Sequence, residues 1–229
     1  MESRMFDTIL ELPLFQGLGR DDLTRILEST HLTFETLPEH ATLCRQDEPC
    51  TGLTFVIEGE LLQNTRSANR QWSVDEWVGA RTVIGLNALY GSSNAHRHTY
   101  SAACPTRLMH VDKRTAKALV NYFEVFRLNV MNGLTTQHRA QMHALWLPGS
   151  DTLEGHIVGF MRSHVTRPAG RKVFHMSQQT LGQYVNADYR YVCRALDRLA
   201  AKGLLAKKYK AIQVPAFEAL TTHFNQNSK

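Results

Sequence analysis

The hydrophobic period of this chain changes at Asp112, and that change limits the fold more than any other feature. Between Leu32 and Asp112 the apolar residues come in short runs. Thr33–Leu37, Leu53–Glu58, Leu61–Arg66 and Trp72–Val78 are rich in Thr, Val, Leu and aromatic residues, with Gly59 and Ser67-Ala68-Asn69 between them. Runs of this length bounded by turn formers read as strands. His98–Ala103 and Arg107–Val111, on either side of Pro105, add two more. Many short strands at this spacing predict an antiparallel sandwich or barrel. A short helix over Asp21–Ser29 comes first, with Asp21 or Asp22 near its N-cap.

Beyond Asp112 there is no proline until Pro148. Leu119, Phe123, Phe126, Val130, Gly133, Gln137, Ala140 and Ala144 follow a 4-3-4-3-4-3-4 spacing, which puts them on one seam of a long helix over about 113–146. That is the spacing of a coiled coil. The small residues Gly133, Ala140 and Ala144 let a partner approach closely, with Gln137 the polar exception. A small β domain has difficulty covering so long a seam, so the expectation is a homodimer joined through Leu119, Phe123, Phe126, Val130, Gly133, Gln137 and Ala140.

The segment Trp146–Asp151 carries Pro148 and Gly149 and reads as a hinge, with Asp151 placed to cap the next helix. The expected domains are therefore 1–147 and 148–229. Their charges differ: residues 1–147 hold 14 Lys+Arg against 16 Asp+Glu, and residues 148–229 hold 12 against 5. A basic module joined to a near-neutral one suits attraction to a phosphate backbone. With 229 residues, 43% of them hydrophobic, the chain can bury a real core. No apolar run approaches the roughly 20 residues that cross a bilayer, and Glu2, Asp7 and Glu11 interrupt any leader-like start. A cytoplasmic, non-membrane protein is expected. Cys44, Cys50, Cys104 and Cys193 are scattered, so they read as free thiols, with no metal and no cofactor.

The most informative stretch runs from Ser177 to Leu205. Ser177 can cap a first helix whose Leu181, Tyr184 and Val185 face inward, Asn186-Ala187 make a tight turn, and Asp188 can cap a second helix. The second helix buries Val192, Ala195, Leu196 and Leu199 and presents Tyr189, Arg190, Arg194 and Arg198. A helix reads the major groove only when another holds it at a fixed angle and its exposed N-terminal part carries hydrogen-bonding side chains. Arg190 and Arg194 lie four apart on one face, and arginine takes guanine O6 and N7 together. Gln178, Gln179 and Tyr189 can serve bases or phosphates. After Lys202-Gly203, two short apolar strands around Lys207, Lys208 and Lys210 make a wing suited to phosphates. Double-stranded DNA is the expected partner, contacted by Ser177, Gln178, Gln179, Asp188, Tyr189, Arg190, Arg194, Lys207 and Lys208.

The order of these pieces resembles the Crp/Fnr family of transcription regulators, and the resemblance covers nearly the whole chain. It is carried by Leu14-Phe15-Gln16-Gly17-Leu18, Phe55–Leu61, Ile84–Leu89, Pro105–Leu108, the long helix and the winged segment. It implies an α+β fold: an N-terminal antiparallel β-roll of the cyclic-nucleotide-binding jelly-roll type, a long dimerisation helix and a C-terminal winged helix-turn-helix. It also implies a small-molecule effector near Gly85, Leu86, Asn87, Arg97, His98 and Thr99, and RNA polymerase as a partner. In two places the chain departs from the family pattern. Where cyclic-nucleotide-binding members place a ribose-binding glutamate, this chain has Leu86. In the reading helix, Tyr189-Arg190 replaces the family's Arg-Glu, although Arg194 matches. An effector other than cyclic AMP is therefore expected.

A rival reading is a haem- or metal-based gas or redox sensor, with His96, His98, His110, His138 or Cys104 as ligands. An enzyme is not expected: no nucleophile elbow, phosphate loop or HExxH helix positions the Ser, His and Asp present.

Overall fold

The computed structural model describes residues 2–91, 93–146 and 151–226. Contacts divide the chain into two compact units, Met1–Leu62 with Val78–His138, and Gln63–Trp77 with Arg139–Lys229. Residues 63–77 thus group with the C-terminal unit, which a boundary at 147/148 does not anticipate. Most of the expected hinge, residues 147–150, lies outside the described residues.

The first unit opens with α1 (Glu2–Leu10) and α2 (Arg20–Ser29). Gly19 sits at the N-cap of α2 without a side-chain bond, and Asp21 and Asp22 lie in its first turn. The strands follow: β1 (Thr33–Leu37), β2 (Thr42–Cys44), β3 (Gly52–Glu58), β4 (Glu60–Arg66), β5 (Ser73–Gly79), β6 (Thr82–Ile84), β7 (Thr99–Ala102) and β8 (Thr106–Asp112). One antiparallel sheet has the order β1-β8-β3-β6. In the other, β2 pairs with β7, and β7 lies beside β4. Val56, Leu61, Val78, Ile84, Tyr100 and Leu108 fill one core of this unit. The roll expected from the strand pattern is present: β1, β3, β4, β5, β7 and β8 lie within a residue or two of the predicted limits, and the three-residue strands β2 and β6, too short to show an alternation, are additional.

The long helix is two helices, α3 (Lys113–Tyr122) and α4 (Glu124–Trp146), because Phe123 has extended dihedrals (φ −117, ψ 107). Asp112 caps α3 by accepting from the backbone N–H of Arg114 and Thr115. The break lets both helices bury apolar residues in their own unit. Leu119, Phe126 and Val130 join Phe15, Phe55 and Leu86 in a second core, and Phe123 and Leu134 pack against it. The rings of Phe15 and Phe126 meet edge-on at 5.2 Å. Gly133 allows a close approach of another kind than expected, since a Cβ there would lie 2.9 Å from Leu86 Cδ2. The expected dimerisation seam is corrected accordingly: from Leu119 to Gly133 its residues meet the chain's own roll, and only Gln137 and Ala140 are exposed.

The second unit holds α5 (Leu153–Ser163), β9 (Lys172–His175), α6 (Gln178–Tyr184), α7 (Tyr189–Ala201), β10 (Ala206–Lys208), β11 (Ala211–Val214) and α8 (Phe217–Gln226). Strands β10, β11 and β9 are antiparallel neighbours, and β9 also pairs with residues 73–76 of β5. Ile157, Met161, Phe174, Leu181, Val192, Leu196 and Phe217 share its core with Trp72 and Val74. Among the described residues no helix is long and apolar enough to cross a membrane.

Candidate nucleic-acid interface

Helices α6 and α7 start where side-chain oxygens can take their free N–H groups. Ser177 Oγ accepts from Thr180 N at 2.9 Å, and Asp188 Oδ1 accepts from Arg190 N at 2.9 Å. Those donors hold the Asp188 carboxyl below the usual carboxylate range, the backbone N–H of Arg190 contributing most. Between the helices Asn186 is left-handed (φ 50), a conformation asparagine tolerates. Gly182 is needed at this corner, since a Cβ there would lie 2.7 Å from the Ala187 carbonyl oxygen. The short turn and the burial of Leu181, Val192, Ala195, Leu196 and Leu199 fix the two helices against each other. Tyr184 departs from expectation. It is exposed, its ring packs against Phe160, and its hydroxyl accepts from Asn69 Nδ2 at 3.0 Å.

The outward face of α7 carries Tyr189, Arg190 and Arg194, all exposed. Arg190 Nε donates to Asp188 Oδ1 at 3.1 Å, which keeps its side chain at the N-terminal end of the helix. The Arg194 guanidinium lies 5.8 Å from the centre of the Tyr191 ring. Gln179 is exposed and Gln178 half-buried. Arg198 is engaged by a partner: it is bonded and ion-paired to Glu154 of α5, holding the Glu154 carboxyl below its usual range. In the wing, Lys208 is exposed, whereas Lys207 is tied to Asp197 of α7.

Cys193 was missed in the sequence. Its thiol donates to Gln178 Oε1 at 2.8 Å, joining the start of α6 to the outward face of α7 and leaving the Gln178 amide hydrogens to serve as donors. Contact with the same thiol pushes the Tyr189 phenol up. A helical wheel carried the signal, since Cys193 follows Tyr189 by four residues and Arg190 by three.

The residues of the expected effector site differ in exposure. Gly85 and Leu86 are buried, Asn87 and Arg97 exposed, and His98 and Thr99 half-buried, with Thr99 Oγ1 accepting from Gln46 N. Among the histidines of the sensor reading, His110 is held by Thr54 and Glu35, His138 is exposed, and burial lowers the pKa of His96. No three His, Cys, Asp or Glu side chains among the described residues converge on a metal position.

A protein from Eubacterium rectale, provisionally assigned as a transcriptional regulator of the Crp/Fnr family, aligns with 93% of this chain and 97% of its own at TM-score 0.52 and 15% identity. This chain shares the fold of that protein. The catabolite activator protein of Thermus thermophilus is similar over 95% of this chain and 100% of its own, at 16% identity and TM-score 0.49. The c-di-GMP responsive regulator CLP of Xanthomonas campestris is similar over 86% and 99%, at 16% identity and TM-score 0.46. At 15% identity the likeness to the Eubacterium rectale protein shows the fold alone. No family model matches the sequence, and no curated protein matches it.

Proposed function

We propose that this chain is a sequence-specific DNA-binding transcription regulator that acts as a homodimer on an inverted-repeat operator. One observation carries the reading: α6 and α7 are each capped, locked at a short turn, and leave Tyr189, Arg190 and Arg194 together on an uncovered face beside a basic wing. This is the geometry needed to enter a major groove. Arg190 and Arg194 read bases, Gln178, Gln179 and Tyr189 meet bases or phosphates, and Lys208 meets the backbone. Ser177 and Asp188 act as caps that aim the helices. Lys207 is a weaker contact, since it is paired to Asp197 with its side chain only 27% exposed, whereas Arg190, paired to Asp188, remains 79% exposed.

Dimerisation is assigned to the uncovered part of α4. Every residue from Thr135 to His143 is exposed, as are Leu128 and Met131. Leu128, Met131, Thr135, His138 and Met142 follow a 3-4-3-4 spacing on one face, the seam of a paired helix. Gln137 and Ala140 flank it. A two-fold pair would set its reading helices about 34 Å apart, in successive major grooves.

In this reading residues 1–147 are the sensing half and residues 148–229 the DNA-binding half, aided by 63–77. The protein works in the cytoplasm with RNA polymerase. The effector is a small molecule other than cyclic AMP. Leu86, at the position of the ribose acceptor, is packed in the core, and Arg97 lies at the surface.

Selection of bound sequences from random DNA tests the function. It should return an inverted repeat, on which Arg190→Ala or Arg194→Ala loses about 1–3 kcal/mol and relaxes base choice. Lys208→Ala should weaken all sequences alike and flatten the salt dependence. Equal, sequence-blind losses for all three variants would refute base reading.

A further inference from the structure

We propose that Glu76 is a positioning residue for DNA binding: it anchors the hairpin 63–77 to strand β9 and to the loop before it, and so fixes the wing and α6. The inference builds on the DNA-binding function proposed above.

Strand β5 alternates, and its inward-facing residues are Val74, Glu76 and Val78. A glutamate between two valines in the buried phase of a strand costs free energy unless its charge and lone pairs are matched. Glu76 is 0% exposed and is matched at every side. Lys172 Nζ, 1% exposed, lies 3.2 Å from Oε1. Thr166 donates to Oε2 through its backbone N–H at 2.9 Å and its hydroxyl at 2.8 Å. Arg167 N donates to Oε1 at 3.0 Å and Gln63 Nε2 to Oε2 at 3.1 Å. Lys172 also donates to the Ala169 carbonyl at 2.8 Å. One carboxylate thus gathers the loop 166–169 and the first residue of β9, although it stands ninety residues earlier in the chain than Thr166.

The hairpin reaches both DNA-facing elements. Through β9 it reaches the wing, since Glu76 is paired with Lys172, and Lys172 with Val214 of β11. Through Trp72 and Asn69 it reaches Tyr184, the last residue of α6, by a ring contact at 5.9 Å and the Asn69–Tyr184 hydrogen bond. Buried ion pairs are a poor source of net stability, since apolar replacements are often as stable. They do demand one geometry. A one-residue slip of β5 against β9 would put Asp75 or Trp77 where the donors of Lys172, Thr166 and Arg167 converge, and would turn Val74 out of the core. The pair therefore specifies register, and register sets where the wing and α6 stand.

Full-length protein is compared by hydrogen exchange over 63–77 and 172–175 and by fluorescence anisotropy on the selected operator. Glu76→Gln leaves Lys172 buried without its counter-charge. It should raise exchange in both segments and weaken DNA binding, each by about tenfold or more. Lys172→Met added to Glu76→Gln removes both charges, keeps an acceptor for Thr166 and Arg167, and should restore both readouts to within about threefold of wild type. Arg190→Ala should lose DNA affinity with exchange unchanged. Faster exchange in Glu76→Gln at unchanged DNA affinity would overturn the positioning role, as would unchanged exchange in that variant. Failure of the wild type to bind any selected DNA, with the exchange contrast intact, would instead bring down the DNA-binding reading on which the role depends.

Discussion

Replacing Phe126 with alanine separates the two accounts of the long helix. Phe126 is 0% exposed and lies edge-on to Phe15, which in turn meets Phe55 at 5.4 Å. Removing a fully buried phenylalanine ring costs about 3–5 kcal/mol, transfer and cavity together. That is a large part of the roughly 5–15 kcal/mol that holds a domain folded. Leu128 and Met131 are 48% and 57% exposed. Changing both to glutamate should move the stability of a single chain by only about 0.5 kcal/mol each, while removing the paired-helix face. Urea unfolding over on the order of a hundredfold range of protein concentration distinguishes the two, because only stability derived from dimerisation depends on concentration. Phe126→Ala should lose its 3–5 kcal/mol equally at every concentration. Leu128→Glu with Met131→Glu should abolish the concentration dependence and sediment as a monomer. A Phe126→Ala variant that costs less than about 1 kcal/mol but sediments as a monomer would show that the Leu119–Val130 stripe faces a partner after all.

Glu154→Gln should lower stability near pH 7 and have no effect in acid. Arg198 holds the folded Glu154 pKa below 4.5, so the stabilisation is present above the unfolded pKa and is lost as pH falls through the folded one. Urea midpoints at about pH 7 and about pH 3 measure it, and a gap of the same size at both would refute the linkage. Burial pushes the Cys44 thiol up to about 12. At about pH 8 its reaction with iodoacetamide should be slower in the folded protein than in urea by two orders of magnitude or more, since only the thiolate reacts; equal rates would contradict the burial. Titration calorimetry with cyclic AMP and cyclic GMP should show no binding, because Leu86 cannot accept a ribose hydroxyl. Micromolar binding of either, lost in Arg97→Ala, would sink that reading.

Local rules alone determined much of this protein. Strand alternation, turn formers and caps act within a few residues, so the longer strands between Thr33 and Asp112, the caps Ser177 and Asp188, the turn at Asn186 and the buried stripe of α7 could be read from neighbouring letters, whereas the three-residue strands β2 and β6 could not. The Arg190 and Arg194 face followed from the same helical period. What the sequence left open was which distant surface meets each apolar or charged side chain. A 4-3 spacing says that a stripe is covered, and only packing showed that Phe15, Phe55 and Leu86 cover Leu119, Phe126 and Val130, with the extended Phe123 splitting the helix to allow it. Periodicity likewise marked Arg198 and Lys207 as exposed charges, while Glu154 and Asp197 claim them in the folded chain. Glu76 gave no local signal at all. Its partners at Thr166, Arg167 and Lys172 come within reach only once residues 63–77 pair with β9, because register between remote strands is set by the total burial of both and not by either sequence alone.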